Sequence, residues 1–286
     1  MPDGTVTLHR STIGYDRRGG GPPLLLIPGG SGDAGVFGPF AERLAEAFDV
    51  VGMYGRVASQ GGADADQRPA DHAEDALGLL DALVEGPAFV FGSSSGAVTA
   101  LELAVRHPER VRLAVVHEAP MTRWLPDAEA RQGMFEQVRE TARTGGTGEA
   151  MAVMAAGMAA GAAEAPVEVR RFGDWYDGYA ETAPEPPAPE LAAVFARLRG
   201  LQPAFLEHLL VPFAAHAPNE FALQANANKL VPAAGVDSRG QLPYRSAAAL
   251  AERIGAPLTE FPGGHLGPVE RPALFARALT RLLHDA

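Results

Sequence analysis

Along this chain, short continuous apolar runs alternate with segments whose apolar residues recur at helical spacing. Pro23 to Ile27, Asp49 to Tyr54, Pro87 to Phe91, Val111 to His117, Lys229 to Gly235 and Leu258 to Phe261 read as buried strands. Thr5 to Arg10 and Ser11 to Asp16 read as a short strand pair ahead of them. Helical spacing covers Phe37 to Ala47, Ala70 to Val84, Ala97 to Arg106, Tyr244 to Ile254 and Val269 to Leu283. Strands that are apolar throughout must be covered on both faces, and strands that alternate with helices form parallel sheets. The pattern therefore predicts an α/β fold with a mostly parallel, eight-stranded sheet flanked by helices.

The middle of the chain breaks this rhythm. From about Met121 to Pro218 no segment reads as a strand, and helical patches are interrupted by Gly145-Gly146 and by Pro184-Glu185-Pro186-Pro187. An interruption of this length is not an ordinary loop. We expect a core made of residues 1–120 and 219–286, with residues 121–218 inserted as a helical lid. The insertion leaves the core just beyond the strand ending near His117, at the sheet edge where open α/β sheets bind ligands. Met151, Met154 and Met158 lie at helical spacing within it. Such a stripe suits core packing; turned to the cleft, it makes an adaptable apolar wall. Trp124, Trp175, Tyr176 and Tyr179 are further candidates for that wall.

The composition narrows the partners. A net charge of −11 disfavours nucleic acid and anionic membranes. With no cysteine, thiolate catalysis and cysteine-ligated metals are excluded. No His-x-x-x-His or similar cluster supports a metal, and no Gly-x-Gly-x-x-Gly or Gly-Lys-Ser/Thr motif supports a nucleotide, so no cofactor is expected. The first residues lack a basic stretch followed by an apolar one, so a secretory signal is not expected and a cytoplasmic location is. A homodimer is left open.

The chemistry concentrates at Gly92-Ser93-Ser94-Ser95-Gly96, between an apolar strand and a helix. A sharp strand-to-helix turn strains its central residue and tolerates only small neighbours, which Gly92 and Gly96 supply. The Ser94 hydroxyl then projects above the sheet, where the helix start directs N–H groups at developing negative charge. A serine hydroxyl needs a base oriented by a carboxylate. Of the histidines, His265 stands out, in the glycine-rich loop Pro262-Gly263-Gly264-His265 after the last strand. His107 falls at a helix end, and His117 ends a strand. His9, His72, His208, His216 and His284 look like surface or lid residues. The preferred carboxylate is Asp237, after the strand Leu230 to Ala234; its competitor is Glu118, at the end of the strand Val111 to His117. Backbone N–H groups of Ser95 and of Gly30, in the turn Pro28-Gly29-Gly30-Ser31-Gly32, are the candidate oxyanion donors. Ser31, Glu118, Met151, Met154 and Trp175 are candidate pocket residues.

Taken together, these motifs resemble the α/β-hydrolase superfamily over nearly the whole chain. The order Ser94, Asp237, His265 is the family's order. His107-Pro108-Glu109-Arg110-Val111 and Pro262-Gly263-Gly264-His265 resemble its links, and the insertion falls where the family carries its cap. The resemblance implies a cofactor-independent serine hydrolase acting on a small-molecule ester or lactone. One segment departs from it. Where many relatives carry Asp-x-Arg-Gly-x-Gly/Ser, this chain reads Tyr54-Gly55-Arg56-Val57-Ala58-Ser59. That turn supports the oxyanion loop in relatives. Its alteration and the large insertion keep open a triad-dependent lyase, cyclase or acyltransferase acting on a natural-product intermediate. The resemblance also leaves a non-catalytic small-molecule binding protein of the same fold, against which the intact triad argues.

Overall fold

The computed structural model describes residues 2–9, 11–159, 167–171, 175, 179 and 183–285. Its nine-stranded sheet has the order β1-β2-β4-β3-β5-β6-β8-β9-β7. The strands are β1 (Gly4–Thr7), β2 (Thr12–Gly19), β3 (Pro23–Ile27), β4 (Asp49–Met53), β5 (Ala88–Ser93), β6 (Val111–His117), β7 (Val169–Arg171), β8 (Leu230–Gly235) and β9 (Leu258–Phe261). Among the described residues, only the pairs β1–β2 and β2–β4 are antiparallel.

Successive side chains of a strand point to opposite faces, so an all-apolar strand feeds two cores. Leu25 and Ile27 of β3 join Val90, Leu79 and Leu101 on one side. Leu24 and Leu26 join Phe40, Phe91, Phe275 and Leu279 on the other. The first side is covered by α3 (Pro69–Leu83) and α4 (Ser95–Arg106), the second by α1 (Gly38–Leu44) and α12 (Pro272–His284). The helix expected over Val269 to Leu283 is two pieces, α11 (Gly267–Glu270) and α12, because Pro272 starts a new first turn after Arg271, whose φ of −139° and ψ of 52° are not helical. The Tyr54–Ser59 region folds into the short helix α2 (Arg56–Gln60), and α10 (Leu242–Ile254) follows β8.

The segment between β6 and β8 contains α5 (Ala128–Thr144), α6 (Thr147–Ala159), α7 (Leu191–Ala204), a π-helical turn (Phe205–Leu209), α8 (Leu210–Ala214) and α9 (Glu220–Ala225). It also contains β7, in a stretch with no strand expected. β7 pairs in parallel with β9 through Val169 and Leu258, and this makes nine strands rather than eight. Three residues are too few to display an alternating pattern, which is why the sequence conceals β7. Among the described residues no helix is long and apolar enough to cross a membrane.

Candidate active site

Ser94 sits between β5 and α4 with φ 57° and ψ −126°. Among the described residues, only Ser94 and Glu118 are non-glycine residues with positive φ, Glu118 at 52°. Such conformations cost about 1–3 kcal/mol each and persist only where neighbours enforce them. At Ser94 the neighbours are glycines. A Cβ on Gly92 would run into the carbonyl of Gly96, and one on Gly96 into the carbonyl of Ile27. The strand end is therefore pressed against the helix start and against β3.

The glycine turn after β3 is equally close. A Cβ on Gly29 would lie 2.6 Å from the Ser94 Cβ. Ser95 donates its hydroxyl to the Gly30 carbonyl at 3.3 Å. Its N–H opens α4, where the first turn has no carbonyl within the helix to bond. The altered Tyr54–Ser59 segment still braces this turn. Gly55 donates its N–H to the Gly32 carbonyl at 2.7 Å, and Arg56 pairs with the buried Asp75 through two nitrogens at 2.9 Å. From above, Ser31 donates to the Leu201 carbonyl at 3.2 Å and Arg197 pairs with the buried Asp33 at 2.9 Å, fastening α7 to the turn.

The carboxylate at His265 is that of Glu118, not Asp237. His265 Nδ1 lies 2.7 Å from Glu118 Oε2. Glu118 has no solvent exposure, and its Oε1 accepts the Gly235 N–H at 2.8 Å and lies against the Ser238 hydroxyl. Burial pushes its carboxyl upward, but the hydrogen bonds from His265 and Ser238, with the adjacent imidazoles, outweigh this and hold it below the ordinary carboxylate range. It is therefore ionised at neutral pH. Asp237 is exposed, and its Oδ2 accepts the Tyr179 hydroxyl at 2.7 Å. The same hydroxyl accepts the Gly263 N–H at 2.6 Å. Glu118 reaches the ring from the end of β6 with φ 52°, whereas the Asp237 carboxylate is engaged by the Tyr179 hydroxyl.

Ser94 and His265 face a two-lobed cavity, and both line each lobe. The larger lobe, about 320 Å³, is also lined by Gly30, Ser31, Phe37, Met151 and Phe195. The smaller, about 170 Å³, is lined by Ser95, Phe135, Met158 and Phe213. Met154 and Phe205 line both. Ser31, Met151 and Met154 thus reach the site as expected. Trp175 does not: it is buried against Tyr179 beside α12, around a separate depression with Arg43 and Glu46. Glu118 lies behind His265 and lines neither lobe. Tyr176 lies outside the described residues. The contribution of α7 and the π-helical turn was missed, although Phe195, Leu198 and Gln202, followed by Phe205, recur at helical spacing.

Two further histidines are buried. His117 is enclosed by Phe91, Phe261 and Phe275, with the Ser93 hydroxyl 3.1 Å from its Nδ1. Burial pushes its pKa down to about 4. His72, expected at the surface, is buried on α3 edge-on to Phe213, and burial lowers its pKa to about 4 as well.

Over 99% of its length the chain is 31% identical to the uncharacterized hydrolase YraK of Bacillus subtilis (strain 168), covering 95% of that protein. A sequence model described as alpha/beta hydrolase fold matches residues 22–148. The structure of a thermophilic esterase from Thermogutta terrifontis superposes with a TM-score of 0.69 at 19% identity, over 99% of this chain and 98% of that one. The enol-lactonase from Burkholderia xenovorans LB400 superposes with a TM-score of 0.63 at 19% identity, over 98% of this chain and 100% of that one. At such identities these two likenesses show the fold alone.

Proposed function

Because the chain belongs to the α/β-hydrolase family, we propose that it is a serine hydrolase that cleaves an ester or lactone through an acyl-enzyme on Ser94. One observation carries this reading: the buried Glu118 carboxylate lies 2.7 Å from His265, whose ring shares the cavity with the strained Ser94. Glu118 fixes His265 with the proton on Nδ1, leaving Nε2 to act as the base, and stabilises the imidazolium that forms. His265 takes the Ser94 proton as Oγ attacks the carbonyl carbon. The negative oxygen is received by the N–H groups of Gly30 and Ser95. Collapse breaks the bond to the leaving alkoxide oxygen, which takes the proton from His265. Water, deprotonated by His265, then attacks the acyl-enzyme and releases the acid and Ser94. Residues 121–218 act as a cap, with α6 and α7 roofing the cavity and limiting access of bulk water. An esterase and an enol-lactonase share this fold, so the fold accommodates both of the proposed substrate classes.

The test is labelling with a fluorophosphonate, with the modified peptide located by mass spectrometry, beside turnover of simple esters and lactones. Modification confined to Ser94, and products heavier than substrate by one water, are expected. An unmodified Ser94 in folded protein removes the acyl-enzyme mechanism. A product without added water moves the reaction to cyclisation or acyl transfer.

A further inference from the structure

The cavity has two lobes that meet at the reacting groups, and what divides them is defined. Met154 of α6 and Phe205, which opens the π-helical turn, line both lobes together with Ser94 and His265. A π turn inserts an extra residue into a helix and re-aims side chains, and such turns recur at functional sites. The walls beyond the partition are mostly apolar, with Phe37 and Leu198 on one side and Phe135 and Leu210 on the other. Their polar side chains, among them Ser31 and Gln202 on the first side and Gln241 on the second, are uncharged. Among the described residues lining the lobes, His265 is the one ionisable side chain, and no lysine or arginine is present to receive an anion. The net charge of −11 adds a long-range field that repels anionic substrates.

Resting on the hydrolase reading above, we infer that the substrate is an uncharged ester or lactone with an apolar group on each side of its carbonyl, the two groups parted by Met154 and Phe205. The sizes follow from the lobes. An apolar cavity of about 150 Å³ accepts benzene, so the lobe of about 170 Å³ takes a phenyl-sized group. The lobe of about 320 Å³ takes a group roughly twice as large. A carboxylate on either arm would be stripped of water with no cation to compensate it.

Three p-nitrophenyl esters test this, since the nitrophenyl ring fits the smaller lobe: the acetate, the hexanoate and the hemiadipate, which ends in a carboxylate. The hexanoate is expected to exceed the acetate in kcat/KM by about tenfold or more, because each buried methylene contributes roughly threefold to fourfold. The hemiadipate is expected about a hundredfold below the hexanoate. Phe205→Ala, which joins the lobes, is expected to raise kcat/KM for 1-naphthyl hexanoate relative to the p-nitrophenyl ester. Equal rates along the series, or a hemiadipate as good as the hexanoate, would overturn the inference. Calorimetric titration of Ser94→Ala with the ketone isosteres of hexanoate and hemiadipate separates the two readings. Selective binding of the uncharged ketone without turnover by the parent protein keeps the substrate class and rejects hydrolysis. Absence of both binding and turnover rejects the substrate class.

Discussion

The backbone N–H of Ser94 donates to the carbonyl of His117 at 2.9 Å. This bond ties the only two strained non-glycine residues among those described, because His117 immediately precedes Glu118. The Ser93 hydroxyl on the His117 ring repeats the tie through side chains. The ends of β5 and β6 are thus locked in register, and with them the serine and the carboxylate that orients His265.

Exchanging the two candidate acids separates their roles. Glu118→Gln is expected to lower kcat by about 10³–10⁴-fold, the scale seen when a triad carboxylate becomes an amide. Asp237→Asn keeps an acceptor for Tyr179 and is expected to lose less than about tenfold, since its carboxylate does not orient the imidazole. Steady-state kinetics on both variants, with circular dichroism to confirm folding, decides between them.

The three consecutive serines should respond differently. Ser93→Ala leaves the buried His117 Nδ1 without its partner and is expected to lower stability by about 1–3 kcal/mol. Ser95→Ala retains the backbone N–H, so its kcat should stay within about tenfold of the parent if that group is the oxyanion donor. Urea unfolding and ester turnover across the three alanine variants provide the comparison.

Gly29→Ala probes the pressure of the glycine turn on Ser94. The added methyl would lie 2.6 Å from the Ser94 Cβ, and neither atom can rotate away. A stability loss of about 1–3 kcal/mol is expected from such overpacking, together with a fall in kcat larger than any change in KM.

Stability should fall in acid through His72. Its pKa is lowered from 6.5 unfolded to about 4 folded, by burial. Above that window both states carry a neutral ring. Within it only the unfolded chain binds a proton, so stability drops as pH falls from 6.5 toward 4, by about 3 kcal/mol for this group at most. His117 and Glu118 act in the same direction, Glu118 at lower pH. His72→Phe, which removes the proton site, should flatten the urea midpoint between pH 6.5 and 4 relative to the parent; an unchanged slope would show that His72 does not titrate in this window.

Much of this architecture can be read from the residues. Apolar runs mark the core strands because burial on both faces leaves no polar position, and Gly92 to Gly96 marks the turn because only small residues fit it. His265 follows from a glycine-rich loop that can reach the top of the sheet. The acid was not settled by the same means. Glu118 and Asp237 both follow strand ends, and what separates them is the positive φ of Glu118 and the Tyr179 hydroxyl that engages Asp237, neither of which local sequence encodes. The misplaced Trp175 has the same origin: an aromatic in the inserted segment reads alike whether it faces the cavity or α12. His72 carries a polar label, yet the apolar face of α3 takes it inside.

Val169–Arg171 completes the sheet beside the strand that leads to His265. The inserted segment therefore supplies both part of the cavity lining, through Met154 and Phe195, and the outermost strand of the sheet. Cutting residues 121–218 away would strip β9 of its neighbour and leave a raw row of N–H and C=O groups, a template for pairing with another molecule. A chimera that borrows another protein's cap has to bring an edge strand with it, or it trades a change of specificity for self-association.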